Sequence, residues 1–286
     1  MANPRGTRSE LLIIGAGTLG LLVAREWLAR HPGSMVTGET RTGRNHPDLE
    51  DFGVIPRLRD DTLPFSHANV LFCVPPSGAP NYAAEAARAA ALWSGKGAFL
   101  FTSSSAVYDT PDGGVITETS PTRRNERTEK LLAAEHTVLD AGGSVVRLAG
   151  LYNEDRGPHR VYMRSRTLPT RPDGLVNLIH YEDAAGLCVR ALEEAQSGTV
   201  YLGCDGRPVT REELTEAIAR SPRFAGRPLC IFTAQHGPVG RSCSNEATRR
   251  ALQWQPHYPD VIGWVTRLPE EPHADGASPS EDRIRY

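Results

Sequence analysis

Gly15-Ala16-Gly17-Thr18-Leu19-Gly20 lies between a short apolar run, Leu11 to Ile14, and an Ala- and Leu-rich stretch, Leu19 to Ala29. The first stretch reads as a strand and the second as a helix, so GxGxxG falls in the strand–turn–helix setting of a dinucleotide fingerprint. Each glycine has its own task. Gly15 permits the tight turn, Gly17 lets the backbone approach a pyrophosphate, and Gly20 allows close packing of helix on strand. The helix start then offers free N–H groups and the positive end of its dipole to phosphate. No lysine follows Gly20, which separates the motif from a phosphate-binding P-loop. The bland alternative is a glycine-rich turn of any α/β protein, and the placement weighs against it.

The same alternation continues along the chain. Strands are expected at 35–40, 70–74, 98–102, 144–148 and 199–202, and helices at 82–93, 126–140 and 182–196. Short buried strands separated by helices imply a parallel sheet covered on both faces, because parallel connections need a crossover. The fold class is therefore α/β: a Rossmann-type doubly wound parallel sheet with a small C-terminal substrate lobe. The expected organisation of the 286 residues is an N-terminal extension at 1–9 and an NAD(P)-binding core at 10–152. A mixed segment, 153–268, completes the sheet and forms the lobe, and a disordered tail follows at 269–286. Thr210-Arg211-Glu212-Glu213 fits a capping box that opens a helix to Arg220.

Composition narrows the function classes. Lys and Arg number 32 against 34 Asp and Glu, so no basic excess points to nucleic acid. The longest apolar run, Leu11 to Ala24, is interrupted by Gly15, Gly17 and Gly20 and is shorter than the roughly 20 residues of a spanning helix, so no membrane partner is expected. Five scattered cysteines without a CxxC pair argue against a disulfide framework and a zinc site, and the histidines show no ligand spacing, so no metal is inferred. A reducing, cytoplasmic setting follows; a plastid or another organelle stays open if a transit peptide has been removed.

Two features bear on the cofactor. An NAD site normally ends its second strand with an acid on the adenosine ribose, whereas an Arg nearby accommodates the extra phosphate of NADP. The stretch here is Glu39-Thr40-Arg41-Thr42. Arg41 favours NADP through a bidentate grip on phosphate, and Glu39 keeps NAD as the alternative. The expected cofactor set is Gly15, Gly17, Thr18, Leu19 and Gly20, with Arg41 and with Pro75 after the third apolar run.

Phe99 to Thr102 runs into Ser103-Ser104-Ser105-Ala106-Val107-Tyr108. A helix with Leu132-Ala133-Ala134-Glu135 follows, then Val146-Arg147-Leu148-Ala149-Gly150-Leu151-Tyr152, then Asn177-Leu178-Ile179-His180-Tyr181-Glu182-Asp183-Ala184. This ordered series, over about residues 10 to 265, resembles the extended short-chain dehydrogenase/reductases, the group that includes sugar-nucleotide epimerases and dehydratases. The closing stretch, Cys243 to Pro256, is similar to an atypical branch of that group.

The resemblance implies a Ser or Thr four residues before the Tyr of the VY pair that hydrogen-bonds the reacting oxygen, which is Ser104 here, flanked by Ser103 and Ser105. It also implies a YxxxK pair on the next helix, where the Lys lowers the Tyr pKa and holds the ribose. This chain departs from that pattern. Alignment on Leu132 to Glu135 puts Arg127 at the Tyr position and Leu131 at the Lys position. Lys130 is rotated by about 100° on a helix of 3.6 residues per turn. Arg127 cannot exchange a proton near neutral pH, though it can stabilise an oxyanion or bind phosphate. By elimination Tyr108 becomes the candidate proton donor, weighed against a role as an ordinary wall residue.

The expected catalytic set is thus Ser104, Tyr108 and Arg127. Ser105, Tyr152, Arg160 and His180 are the candidate substrate residues, with a structural role the stronger reading for His180. The arginines between Asn153 and Arg171 are a candidate phosphate-binding face, set against a solvated loop. The implied function is an NADP- or NAD-binding oxidoreductase or epimerase/dehydratase-like protein, monomeric or homodimeric, acting on the carbonyl or carbinol of a small, sugar- or nucleotide-derived substrate. The rival is a catalytically degenerate NADP-binding sensor or scaffold.

Overall fold

A computed structural model of the chain describes residues 10–62 and 66–270. The expected extension at 1–9 and the tail beyond 270 lie outside the described residues.

Seven strands form the central sheet: β1 (Glu10–Ile14), β2 (Met35–Thr40), β3 (Ile55–Leu58), β4 (Asn69–Phe72), β5 (Phe99–Ser104), β6 (Ser144–Leu148) and β7 (Val200–Gly203). Their spatial order is β7-β6-β5-β4-β1-β2-β3, and every pairing is parallel. The helices are α1 (Thr18–Arg30), α2 (His46–Asp51), α3 (Tyr82–Ala91), α4 (Glu129–Asp140), α5 (Pro158–Arg164), α6 (Tyr181–Glu194), α7 (Arg211–Arg220), α8 (Glu246–Leu252) and α9 (Val261–Thr266). No helix among the described residues is long and apolar enough to cross a membrane.

β1 explains why the sheet is central. Leu11 to Ile14 are all fully buried, as a strand covered on both faces demands. Side chains alternate across the sheet, so Leu11 and Ile13 join the layer containing Trp27 of α1 and Leu187 of α6. Leu12 and Ile14 join the opposite layer with Phe72, Phe101 and Ala86 of α3. Each such buried side chain contributes about 1.5–3 kcal/mol, and Ile13→Ala would cost about 2–5 kcal/mol in a site flanked on both sides.

A third apolar cluster holds Tyr152, Tyr162, Leu214, Ile218, Phe224 and Trp264 and forms the core of the C-terminal part. The capping box at the start of α7 is complete: Glu213 N donates to Thr210 Oγ1 at 3.0 Å, and Thr210 N to Glu213 Oε2 at 2.7 Å. The arginine-rich stretch from Asn153 to Arg171, weighed in the sequence as a solvated loop, contains α5. Strand order reverses at β1, with β2 on one side and β4 on the other, so a crevice opens beyond the carboxyl ends of these strands.

Candidate functional site

A cleft of about 1110 Å³ occupies that crevice. Its floor at one end is the glycine turn. Gly15 has φ +98°, and a Cβ there would lie 2.7 Å from Val74 N. Gly20 packs on Ile13, whose Cγ2 would be 2.9 Å from an added Cβ. Gly17 differs: an added Cβ would meet nothing within 4 Å, so the space above it is open. Both Gly15 N and Ala16 N donate to Glu39 O at 3.0 Å, which ties the turn to β2. Gly17 caps α1, whose first turn carries no acidic residue, and Gly15, Gly17, Thr18 and Leu19 all line the cleft. A glycine at the approach, an open space above it and unscreened helix N–H groups together suit a pyrophosphate.

At the end of β2 the structure separates two neighbouring charges. Arg41 lines the cleft and is exposed. Glu39 is 2% exposed and its carboxylate is already engaged. Arg57 from β3 lies 3.3 Å from it, and Arg88 from α3 binds both of its oxygens. Arg88 also bonds Glu85, which pairs with Arg59. The acid that kept NAD open in the sequence is thus neutralised by arginines 18 and 49 residues away.

The wall opposite is the loop after β4, with Cys73, Val74 and Pro75. Tyr82 Oη donates to Val74 O at 2.5 Å and anchors this loop to α3, which Asn81 caps by accepting from Ala84 N at 3.1 Å. Burial pushes the Cys73 thiol up to about 12, so it is no nucleophile near neutral pH.

The other half of the cleft is built on the end of β5. Ser103 and Ser104 both line it, while Ser105 does not. Ser103 Oγ donates to Glu135 Oε1 at 2.5 Å and has no proton left for a ligand. Glu135 is in turn clamped by Arg147, with Nε 3.1 Å from Oε1 and Nη2 2.7 Å from Oε2. Ser104 Oγ accepts from Ala106 N at 3.2 Å, which leaves its own O–H free to donate into the cleft.

Tyr108 turns away from this cleft. It is 2% exposed and is absent from the lining; the Arg147 guanidinium lies 4.7 Å from its ring centroid. Burial pushes its hydroxyl above the usual phenol range, and Arg147, which pulls the other way, does not offset it. The expected proton donor is therefore a core residue.

Arg127 and Leu131 both line the cleft, and Lys130 does not. Yet the helix begins at Glu129, not at 126. Arg127 stands in the preceding turn, where Asn125 Oδ1 accepts from Arg127 N at 3.0 Å and Thr128 N at 3.1 Å.

Of the candidate substrate residues, Tyr152, Arg160 and His180 are likewise outside the lining. Tyr152 is fully buried against Trp264, with ring centroids 4.9 Å apart. His180 caps α6 by accepting from Glu182 N at 3.3 Å and stacks on Tyr258 at 4.0 Å. Burial lowers its pKa to about 4, which fits a neutral cap. The arginine-rich stretch contributes Arg156 alone to the cleft, and Arg171 is engaged by Asp173 and Gly237 O. Sequence reasoning missed Leu148, Ala149, Leu151 and Tyr181, which complete the wall. Leu148, Ala149 and Leu151 lie in the 146–152 motif and Tyr181 in the 177–184 motif, the two stretches that carry the resemblance. Among the described residues no group of three or more His, Cys, Asp or Glu could hold a metal ion.

No family model matches the sequence. A curated relative, 3-diazoavenalumate denitrifying reductase of a Streptomyces species, is 27% identical over 168 residues, covering 53% of this chain. The chain spans 53% of that protein's length. A conserved protein of unknown function from Silicibacter pomeroyi superposes with a TM-score of 0.72 at 22% identity, covering 90% of this chain and 97% of the other. A putative epimerase from Burkholderia cenocepacia gives 0.71 at 19%, covering 92% and 98%. The dTDP-glucose 4,6-dehydratase of Bacillus anthracis, in complex with NAD, gives 0.70 at 12%, covering 90% and 95%. The fold is that of the Rossmann-type epimerases and dehydratases.

Proposed function

We propose that the chain is an NADP-dependent reductase that delivers hydride to a small electrophile without a Tyr–Lys proton relay. The observation that supports this reading is that Arg127 and Leu131 both line the cleft, the two residues that alignment on Leu132 to Glu135 sets against the Tyr and Lys of the enzymes the sequence resembles. A fixed cation and an apolar side chain can orient a substrate but cannot exchange a proton at neutral pH. Epimerisation and dehydration of a sugar begin by removing a hydroxyl proton, so the missing base weighs against both.

Reductase chemistry survives that loss. Bound NADPH supplies hydride from its nicotinamide. Where the acceptor is a diazonium carbon, the class suggested by the relative's name, the new C–H bond takes the hydride pair. The C–N bond then breaks with its pair leaving as N2, and no proton is needed. The chain's own residues would bind and orient: Gly17 and the first turn of α1 hold phosphate, and Arg41 reads the 2′-phosphate. Arg57 and Arg88 keep Glu39 from repelling that phosphate. Ser104 donates a hydrogen bond to the acceptor.

Calorimetric titration with NADPH and NADH tests the first half, and NADPH is expected to bind at least tenfold more tightly. Incubation of 4-deuterated NADPH with arenediazonium salts, aldehydes, ketones and nucleotide sugars tests the second, with deuterium in a product as the expected result. Absence of dinucleotide binding refutes the reading. NADPH that binds but is never oxidised favours the sensor instead.

A further inference from the structure

We infer that the substrate half of the cleft is built for an anion, and specifically for the carboxylate of a small, flat, apolar acid. The inference rests on the proposed function and names the substrate class of that same site. The charge accounting differs between the two ends of the cleft. At the end near β2 and β3, the lining carboxylates are Glu39, Asp60 and Glu85, and each is engaged by an arginine. The two lining arginines there that carry ion pairs, Arg59 and Arg88, share those acids. At the other end stand Arg127 and Arg156, and no carboxylate lines the cleft beside them. Among the described residues, neither guanidinium forms an ion pair or a side-chain hydrogen bond. They are held on separate loops, Arg127 by the Asn125 turn and Arg156 by Asn153 Oδ1, which accepts from Arg156 N at 2.9 Å.

The walls decide which anion fits. Ala106, Leu131, Leu148, Ala149, Leu151 and Tyr181 line the same cleft. Against Ala106, Leu131, Leu148, Ala149 and Leu151 the hydroxyls of a sugar or a nucleoside diphosphate would face aliphatic carbon, at about 1–3 kcal/mol for each polar group desolvated without a partner. A conjugated acid buries its body on those carbons and presents one planar carboxylate, to which guanidinium forks are matched. Arg127 thus acts as a specificity-determining residue of the cleft.

The test compares trans-cinnamate with cinnamamide, which have the same body with and without charge, by calorimetry with and without saturating NADPH. Cinnamate is expected to bind at least tenfold more tightly than the amide. Arg127→Gln and Arg156→Gln should each erase most of that difference, leaving NADPH affinity within twofold and the melting temperature unmoved, since both side chains are exposed. Equal affinity for acid and amide, no cinnamate binding at millimolar concentration, or UDP binding more tightly than cinnamate overturns the proposal. Loss of NADPH binding alone overturns the proposed function, because the acid–amide comparison without dinucleotide still reads the arginine pair.

Discussion

Substitutions at two glycines of the same turn should have opposite consequences. Gly17 has φ −87° and ψ −154°, an extended conformation open to any residue, and an added Cβ has no neighbour within 4 Å. In Gly17→Val the folded protein loses only the cap preference for glycine, about 0.5–1 kcal/mol. For a chain of 286 residues that lowers the melting temperature by about 1–2 °C. The isopropyl group, however, fills the space through which phosphate oxygens must come within about 2.9 Å of the first amides of α1. Losing two charge-assisted hydrogen bonds at about 1.5–3 kcal/mol each predicts at least a 100-fold fall in NADPH affinity.

Gly15→Ala should do the reverse damage first. Its φ of +98° costs an L-residue about 1–3 kcal/mol, and its Cβ would stand 2.7 Å from Val74 N and 2.9 Å from the Cys73 carbonyl carbon, which are backbone atoms of the next strand's end. A further 1–3 kcal/mol of overlap brings the loss to about 2–6 kcal/mol, read by urea unfolding followed by circular dichroism. NADPH titration of Gly17→Val is then interpretable because the fold persists. Parental affinity in a folded Gly17→Val protein refutes the assignment of the phosphate site, and a Gly15→Ala protein as stable as the parent refutes the packing argument.

Arg41→Ala is expected to weaken NADPH by about 1.5–3 kcal/mol and leave NADH unchanged, measured by parallel titrations; equal losses would show that Arg41 does not read the 2′-phosphate. Glu135→Ala strands the buried Arg147 guanidinium without its partner and should cost about 3–5 kcal/mol in urea unfolding, much of it recovered in Glu135→Leu/Arg147→Met. Burial raises the Asp205 carboxyl to about 7 in the fold against about 4 unfolded, so its favourable contribution is full below pH 4 and is lost as pH rises to 7. Asp205→Asn should therefore gain on the parent by about 1.4 kcal/mol per pH unit across that window, and parallel stability curves would refute the shift. His159 and His180, lowered by burial to about 4, act oppositely, so the same variant should lose stability steeply as pH falls from 6.5 to 4.

The central sheet was legible because each of its signals is local. Leu11–Ile14 and Val70–Phe72 are contiguous apolar runs bounded by Gly and Pro, and a buried parallel strand needs nothing more. β3 escaped because it is an edge strand, Ile55-Pro56-Arg57-Leu58, with Ile55 half exposed and a proline tolerated only at an edge. The C-terminal part is stitched by two-residue pairings such as Val115–Ile116 with Ser242–Cys243 and Thr167–Leu168 with Ile231–Phe232. A two-residue strand has no period to read, and its partner lies more than 60 residues away. Glu39 shows the same limit within the site. Its position at the end of β2 was plain, but its role depends on Arg57 and Arg88, which only the folded sheet brings to it.

Tyr108 and Arg127 show how adjacency along the chain misleads in opposite directions. Tyr108 follows the serine cluster, yet the 3-10 turn Ser105–Val107 reverses the chain and carries its ring back under Arg147. Arg127 was placed by counting helical residues back from Leu131, a count that assumes the helix extends that far. The helix is regular only from Glu129, and Asn125 caps the turn before it, its Oδ1 accepting from the N–H groups of residues 127 and 128 and its carbonyl from Glu129 N at 2.8 Å. Arg127 still reaches the cleft, but from a turn, so its direction is not tied to that of Leu131 by the one-turn geometry that lets a Tyr and a Lys cooperate. On the proposed reading, Tyr and Lys placed at 127 and 131 would cooperate only if residue 127 took up the helical register of Leu131.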